Sequence, residues 1–180
     1  MNPAEPIAIR PYRIEDARLL HEAAIESMAE VSPWLAWCHP GFTRAEAESW
    51  IAAHPDMRKR GNLEFAIVDA RGRYLGGCGI NQVNLNHRFA NLGYWVRSSA
   101  TRRGVAAAAV RLLAAHVFEH TSLERLEIVV ATGNTASERV AEKAGAVREG
   151  VLRARLFMHG EPHDAVMFSL TRGSAPAGPR

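Results

Sequence analysis

The sequence predicts a single mixed α/β domain, and three observations predict it. The chain has 180 residues, enough for one substantial core and too few for two ordinary domains. Its hydrophobic content of 47% and charged content of 23% are those of a soluble globular protein. Short alternating or branched apolar runs interleave with stretches of helical period, in the order β-α-α-β-β-β-α-β-α-β-β.

Ile7-Ala8-Ile9-Arg10 alternates and then meets Pro11, which reads as a first strand. Ala17, Leu20, Ala24 and Met28 recur at helical spacing, so a helix is expected over 14–28 with Asp16 in its first turn. The stretch 31–41 contains Pro33, Pro40 and two indoles, Trp34 and Trp37, and reads as a loop. Thr43-Arg44-Ala45-Glu46 is a capping-box pattern that opens a second helix running to about Arg60. Strands are expected over 63–68, 74–80 and 91–96, a long helix over 103–119, and a buried strand over 126–131. A helix over 135–144 ends at Gly145, and two last strands, 147–156 and 165–170, flank a turn at His159-Gly160-Glu161-Pro162. The domain is expected to span 1–172, followed by a disordered tail over 173–180 rich in Gly, Pro and Ala.

Composition narrows the function classes. A net charge of +3 without a Lys/Arg stripe or interleaved aromatics argues against nucleic acid as a partner. No apolar stretch approaches the ~20 residues needed to span a bilayer, and the N-terminus lacks a signal-peptide pattern, so no membrane association and a cytoplasmic location are expected. Cys38 and Cys78 read as reduced thiols. His116 and His120 stand four apart on a helix, but with no third ligand in the pattern no metal site is expected.

The feature with most chemistry is Arg102-Arg103-Gly104-Val105-Ala106-Ala107 at the start of the long helix. The first amides of a helix have no internal partner and carry the positive end of the dipole, so small residues there let an anion approach closely. Arg102 and Arg103 add charge that suits a diphosphate. The loop has neither P-loop nor dinucleotide-fold spacing, and on these residues alone a tightly packed helix start is an equally good reading. Gly76-Gly77-Cys78-Gly79 lies within a strand, where a bulge or close packing explains it better than a phosphate loop.

Four segments in order, Ala90-Asn91-Leu92-Gly93-Tyr94-Trp95-Val96, Arg103-Gly104-Val105-Ala106, Asn134-Thr135-Ala136-Ser137 and Glu142-Lys143-Ala144-Gly145-Ala146, resemble the GNAT acetyltransferase superfamily. The subgroup they most resemble acetylates the N-terminal alanine or serine of ribosomal proteins. The resemblance implies a mostly antiparallel sheet whose central strands diverge to admit acetyl-CoA. It implies backbone contacts from the strand ending at Val96 to the pantetheine arm and pyrophosphate binding by Arg102, Arg103, Gly104, Val105, Ala106 and Ala107. It further implies a hydrogen bond from Asn134 to pantetheine, with Lys143 also at the cofactor.

Three positions depart from the family. Thr101 stands where Gln or Arg often precedes the loop, Asn91 where a general-base Glu is common, and Ala141 where a thiol-protonating Tyr is usual. A late-strand Glu is also replaced, by Leu156. Ser137, three residues after Asn134, lies on the same helix face and takes the thiol end as the candidate catalytic group, with the reading of a mere helix-turn serine beside it. A protein α-amine, pKa about 7.7–8.0, is partly neutral near pH 7 and needs less of a base than lysine at about 10.4. The resemblance places the acceptor groove at the loop of Trp34 and Trp37, whose rings wall a peptide slot or equally pack the loop down, and Trp34, Asn81 and Asn91 are the residues expected at that groove. Glu149, Glu161, Asp164, His159 and His163 read more readily as surface or turn residues. The expected function is acetyl transfer to a protein N-terminus, by a monomer or homodimer. Acetylation of a small amine and non-catalytic acyl-CoA binding are the alternatives.

Overall fold

A computed structural model describes residues 6–173; residues 174–180, most of the expected tail, lie outside the described residues. The elements are β1 (Ile7–Pro11), α1 (Asp16–Glu26), α2 (Met28–Val31), α3 (Arg44–Ala52), α4 (His54–Lys59), β2 (Leu63–Asp69), β3 (Tyr74–Asn84) and β4 (Phe89–Val96). A 3-10 turn at Ser98–Ala100 leads to α5 (Val105–His120), β5 (Arg125–Ala131), α6 (Thr135–Lys143), β6 (Val147–Met158) and β7 (Glu161–Thr171).

Each of the two early helices expected as one piece is two. The first breaks at Ser27, whose hydroxyl accepts from the Ser98 amide and so serves the loop after β4 instead of continuing a helix. The second breaks at Ala53, two residues before Pro55, because proline cannot continue the hydrogen-bond ladder of the turn before it. Its start is as expected: Thr43 and Glu46 form a complete capping box.

Seven strands form one sheet in the order β1-β2-β3-β4-β5-β7-β6, with every neighbouring pair antiparallel except β4 and β5. Strand alternation sorts side chains onto two faces. On one, Phe65, Ile67, Ile80, Leu92, Leu126 and Phe168 pack with Val110, Leu113 and Val117 of α5. On the other, Ala66 and Tyr74 pack with Leu20, Ala24 and Ile51 of α1 and α3.

The parallel pair is brief. β4 meets β5 only over Phe89↔Arg125, Ala90↔Leu126 and Asn91↔Glu127. Beyond that, β5 stays on β7 up to Ala131↔Ala165, while β4 stays on β3 up to Val96↔Gly76. The two strands therefore part, leaving a slot through the middle of the sheet. The burial of β4 records it: Ala90 and Leu92 are buried, and every residue from Gly93 to Val96 is only half-buried.

Candidate active site

The slot has α5 at one end. Gly104 is the N-cap residue of α5 in the left-handed conformation (φ +78°), and Arg102 before it also has positive φ (+60°). The turn delivers the chain so that the Gly104 carbonyl accepts the first helical bond, from Ala108. The amides of Val105, Ala106 and Ala107 then have no intrahelical acceptor. Their side chains are buried against the core, while Arg102, Arg103 and Gly104 are exposed. The loop thus presents main-chain donors and a helix dipole, with Arg102 and Arg103 exposed beside them, and space over Gly104 is open. A helix start of this kind can hold an anion on its amides. Thr101 takes no part in it, since its hydroxyl donates to the Ser98 carbonyl at 2.8 Å.

The approach to this loop is tied down by acids of α1 and α2. Glu26 accepts from the Arg97 guanidinium and from the Ser99 amide at 2.8 Å, and Glu30 accepts from the Ser98 hydroxyl at 2.9 Å. The Arg97 guanidinium pulls the Glu26 carboxyl down to about 2. A cavity of about 110 Å³ lies beside the loop, touching Arg97, Ser99 and Arg103. It is smaller than an ordinary ligand pocket.

At the far side of the slot stands α6. Asn134 is its N-cap, and the Asn134 Oδ1 accepts from the Ser137 amide at 3.1 Å. The three-residue spacing noted in the sequence is thus a capping interaction, which leaves the Asn134 side-chain amide as a donor. Ser137 itself is not an ordinary turn serine. Tyr94 of β4 reaches across the slot: its Oη donates to the Ser137 carbonyl at 3.0 Å and lies 2.9 Å from Ser137 Oγ. Burial pushes the Tyr94 phenol up to about 12, with the Ser137 bond opposing, so it remains a proton donor at neutral pH. When the phenol donates to Ser137 Oγ, the serine proton is released toward a third group. Ala141, the position of the family's usual phenol, is fully buried, and Tyr94 brings a phenol to the same helix from the strand. Sequence reading treated Tyr94 only as a motif residue. Lys143 is exposed in the last turn of α6; its carbonyl accepts from Arg111 of α5 at 3.0 Å, roughly 10 Å along that helix from Gly104 at 1.5 Å per residue.

The opposite face of the sheet carries the expected acceptor residues. Asn91 donates to Asn81 Oδ1 at 3.0 Å where the strands begin to part. Trp95, on the same face as Asn91, meets Trp37 edge-on with ring centroids 5.1 Å apart, and Trp37 also meets Phe42. Trp37 therefore reaches β4 from the loop, while Trp34 is half-buried nearer the α2 end. His159, at the tip of the β6–β7 hairpin, bonds the Ser32 carbonyl at 3.1 Å and so joins the hairpin to that loop. Glu149 is held by Arg125 and Ser169, and Asp164 accepts from the Ala154 amide. A second residue that sequence reading missed is Glu64 of β2, a half-buried carboxyl that lies over Gly79. Cys38 and Cys78 are both buried free thiols. No helix among the described residues is long and apolar enough to cross a membrane.

A mostly antiparallel sheet whose central parallel strands part is the architecture that the sequence resemblance implied, and comparison with known proteins agrees on the fold. Residues 7–147 match the family model described as the acetyltransferase (GNAT) domain. The chain is 30% identical over 173 residues to YdaF of Bacillus subtilis, whose name proposes ribosomal N-acetylation, spanning 93% of this chain and 92% of that one. It is 22% identical to the ribosomal-protein-serine acetyltransferase of Escherichia coli, over 92% of this chain and 93% of that one. Among solved structures, RimJ of Mycobacterium smegmatis in complex with CoA-disulfide superposes with a TM-score of 0.83 at 28% identity, over 98% of this chain and 87% of that one. The chain belongs to the GNAT acetyltransferase family and is an acetyl-CoA-dependent N-acetyltransferase.

Proposed function

We propose that this enzyme acetylates the N-terminal α-amine of a protein, of the ribosomal-protein type. The observation that carries the reading is the parted β4–β5 pair, with amide donors at its α5 end and the Tyr94–Ser137 pair beside α6. Acetyl-CoA supplies an acyl carbon activated as a thioester. The amides of Val105, Ala106 and Ala107, with Arg102, Arg103 and the turn at Gly104, hold its diphosphate. Alternate backbone groups of β4 up to Val96 face the slot and hydrogen-bond an extended arm as a neighbouring strand would. The Asn134 side-chain amide adds a donor, and Lys143 adds charge near α6. Ser137 holds a proton beside the thiol end, and Tyr94 backs it when its phenol turns from the Ser137 carbonyl to donate to Oγ. A backbone amide near Val96 polarises the acyl carbonyl.

The acceptor class follows from what β4 lacks. Asn91 cannot act as a base, and its side chain is engaged with Asn81. An α-amine at about 7.7–8.0 is the primary amine that needs least help near neutral pH. The curated relatives named for ribosomal-protein acetylation support the same acceptor.

The test is release of CoA thiol from acetyl-CoA with peptides that begin with serine or alanine, with lysine peptides of blocked N-terminus, and with polyamines. Preference for the free N-termini is expected. A preference for polyamines or other small amines would move the acceptor to that class. Tight acetyl-CoA binding without turnover on any amine would sink the acceptor assignment.

A further inference from the structure

Two glycines of Gly76-Gly77-Cys78-Gly79 exist to make room. Gly77 and Gly79 face the α1–α3 side of the sheet. A Cβ at Gly77 would overlap the Tyr12 hydroxyl and approach Trp95 Nε1 at 3.1 Å. A Cβ at Gly79 would overlap Glu64 Oε2 and come within 2.5 Å of the Leu63 carbonyl oxygen. Neither glycine has positive φ, so the requirement is space and not backbone conformation. The space at Gly79 is filled by a carboxyl.

That carboxyl is unpaired. No hydrogen bond or ion pair to Glu64 is found among the described residues, and burial alone pushes it up to about 8. The titratable groups that feel it are Tyr12 on the same face and Cys78 behind the sheet, and neither is a cation. The Tyr12 hydroxyl is already engaged with Tyr74 at 2.8 Å. His54, edge-on against Tyr12 with ring centroids 5.3 Å apart, has its pKa pushed down by burial and by Arg58. By contrast Glu127, on the same face of β5, is held by Arg125 at 2.8 Å. A desolvated carboxyl without a cation is costly unless a ligand supplies one.

The space beside it is open. Glu64, Gly79 and Gly93 stand in register across β2, β3 and β4. A Cβ at Gly93 would meet nothing within 4 Å. One strand spacing, ~5 Å, separates the Glu64 carboxyl over Gly79 from that opening, which borders the slot. The Tyr94–Ser137 pair lies on the other face of the same strand.

We propose that Glu64, seated over Gly79, receives the acceptor's ammonium group through the opening above Gly93 and takes its proton, supplying from β2 the base that Asn91 withholds from β4. The proposal rests on the transferase acting on a primary amine. One ammonium proton passes to the Glu64 carboxylate. The freed lone pair forms the C–N bond as the C–S bond breaks. Of the two protons left on nitrogen, one stays on the amide and the other goes to the departing sulfur by way of Ser137. Glu64 returns its proton to solvent. A base near 8 is matched to an α-amine of about 7.7–8.0 and poorly matched to a lysine of about 10.4, which places selectivity for N-termini in this carboxyl.

The test compares wild type, Glu64→Gln and Gly93→Leu with a peptide that begins with serine. Glu64→Gln is expected to lower kcat/KM about 100-fold and to flatten its rise with pH, while acetyl-CoA affinity stays within about twofold. Calorimetry of the same peptide with CoA-loaded protein is expected to show binding weakened at least about tenfold in both variants. Wild-type turnover and peptide binding in Glu64→Gln would overturn the role of Glu64 while leaving the transferase reading intact. Absence of wild-type turnover with N-terminal, lysine and polyamine acceptors alike would overturn both.

Discussion

Gly104→Asp tests the amide cradle most directly, because the variant changes charge without crowding the fold. Space at Gly104 is open, so a side chain meets no neighbour. The left-handed backbone there costs a non-glycine residue about 1 kcal/mol, and aspartate is among the residues that tolerate it best. Aspartate is also a good N-cap and accepts from the unpaired α5 amides, which offsets part of that cost. Stability should therefore change by less than about 1 kcal/mol, a shift of only about 2–4 °C in a domain of this size. Binding is another matter. A carboxylate ~5 Å from a phosphate charge repels it by about 1–3 kcal/mol for effective dielectrics between about 80 and 20. Two phosphates and competition for the amides bring the loss to at least about 3 kcal/mol, on the order of 100-fold in Kd. Isothermal titration with acetyl-CoA at 0.1 M salt measures it, and the deficit should shrink at 1 M, where the screening length falls to about 3 Å. Gly104→Ala, which has the same backbone cost and no charge, should lose less than about fivefold. Wild-type affinity in Gly104→Asp, or equal losses in the two variants, would refute the anion-cradle reasoning.

Ser137→Ala and Tyr94→Phe are each expected to lower kcat by roughly 10–100-fold with acetyl-CoA affinity preserved; because the two hydroxyls act as one unit, the double variant should lose little more than the worse single, as read by steady-state kinetics. Glu26 titrates at about 2 in the folded chain and near 4.3 when unfolded, so its stabilisation is complete above the unfolded value and is lost as pH falls through the folded one. Denaturant titrations should accordingly show a shallower acid decline between about pH 5 and 2 in Glu26→Gln, and the variant should also bind acetyl-CoA more weakly because the Ser98–Arg103 approach loses its tether. Asp16, buried and bonded to Arg10 at 2.6 and 2.7 Å and to the Arg13 amide, anchors α1 to β1; Asp16→Asn leaves Arg10 without its counter-charge and should cost about 3 kcal/mol, seen as a fall of about 6–12 °C in Tm.

Features that depend on residues three or four apart were legible without the fold. The Thr43–Glu46 capping box and the glycine that opens α5 are set by the hydrogen-bonding needs of helix ends. The breaks at Ser27 and Ala53 were missed, since a helical hydrophobic period runs on across a polar partner exchange or a proline one turn ahead.

By itself, then, the sequence determined the alternation of strands and helices from β2 onward and the capped start of α3, consequences of local backbone chemistry, while it left the Gly104 loop open between an anion site and a plain helix start. Only the tertiary structure decided which groups face one another across the slot. Tyr94 and Ser137 are 43 residues apart, and they meet because β4 leaves β5 at Asn91 while α6 follows β5. Glu64 and Gly79 meet through the antiparallel register of β2 on β3. Such pairings are fixed by sheet order and by which face each side chain takes, and a strand's own residues carry neither its neighbour nor its register.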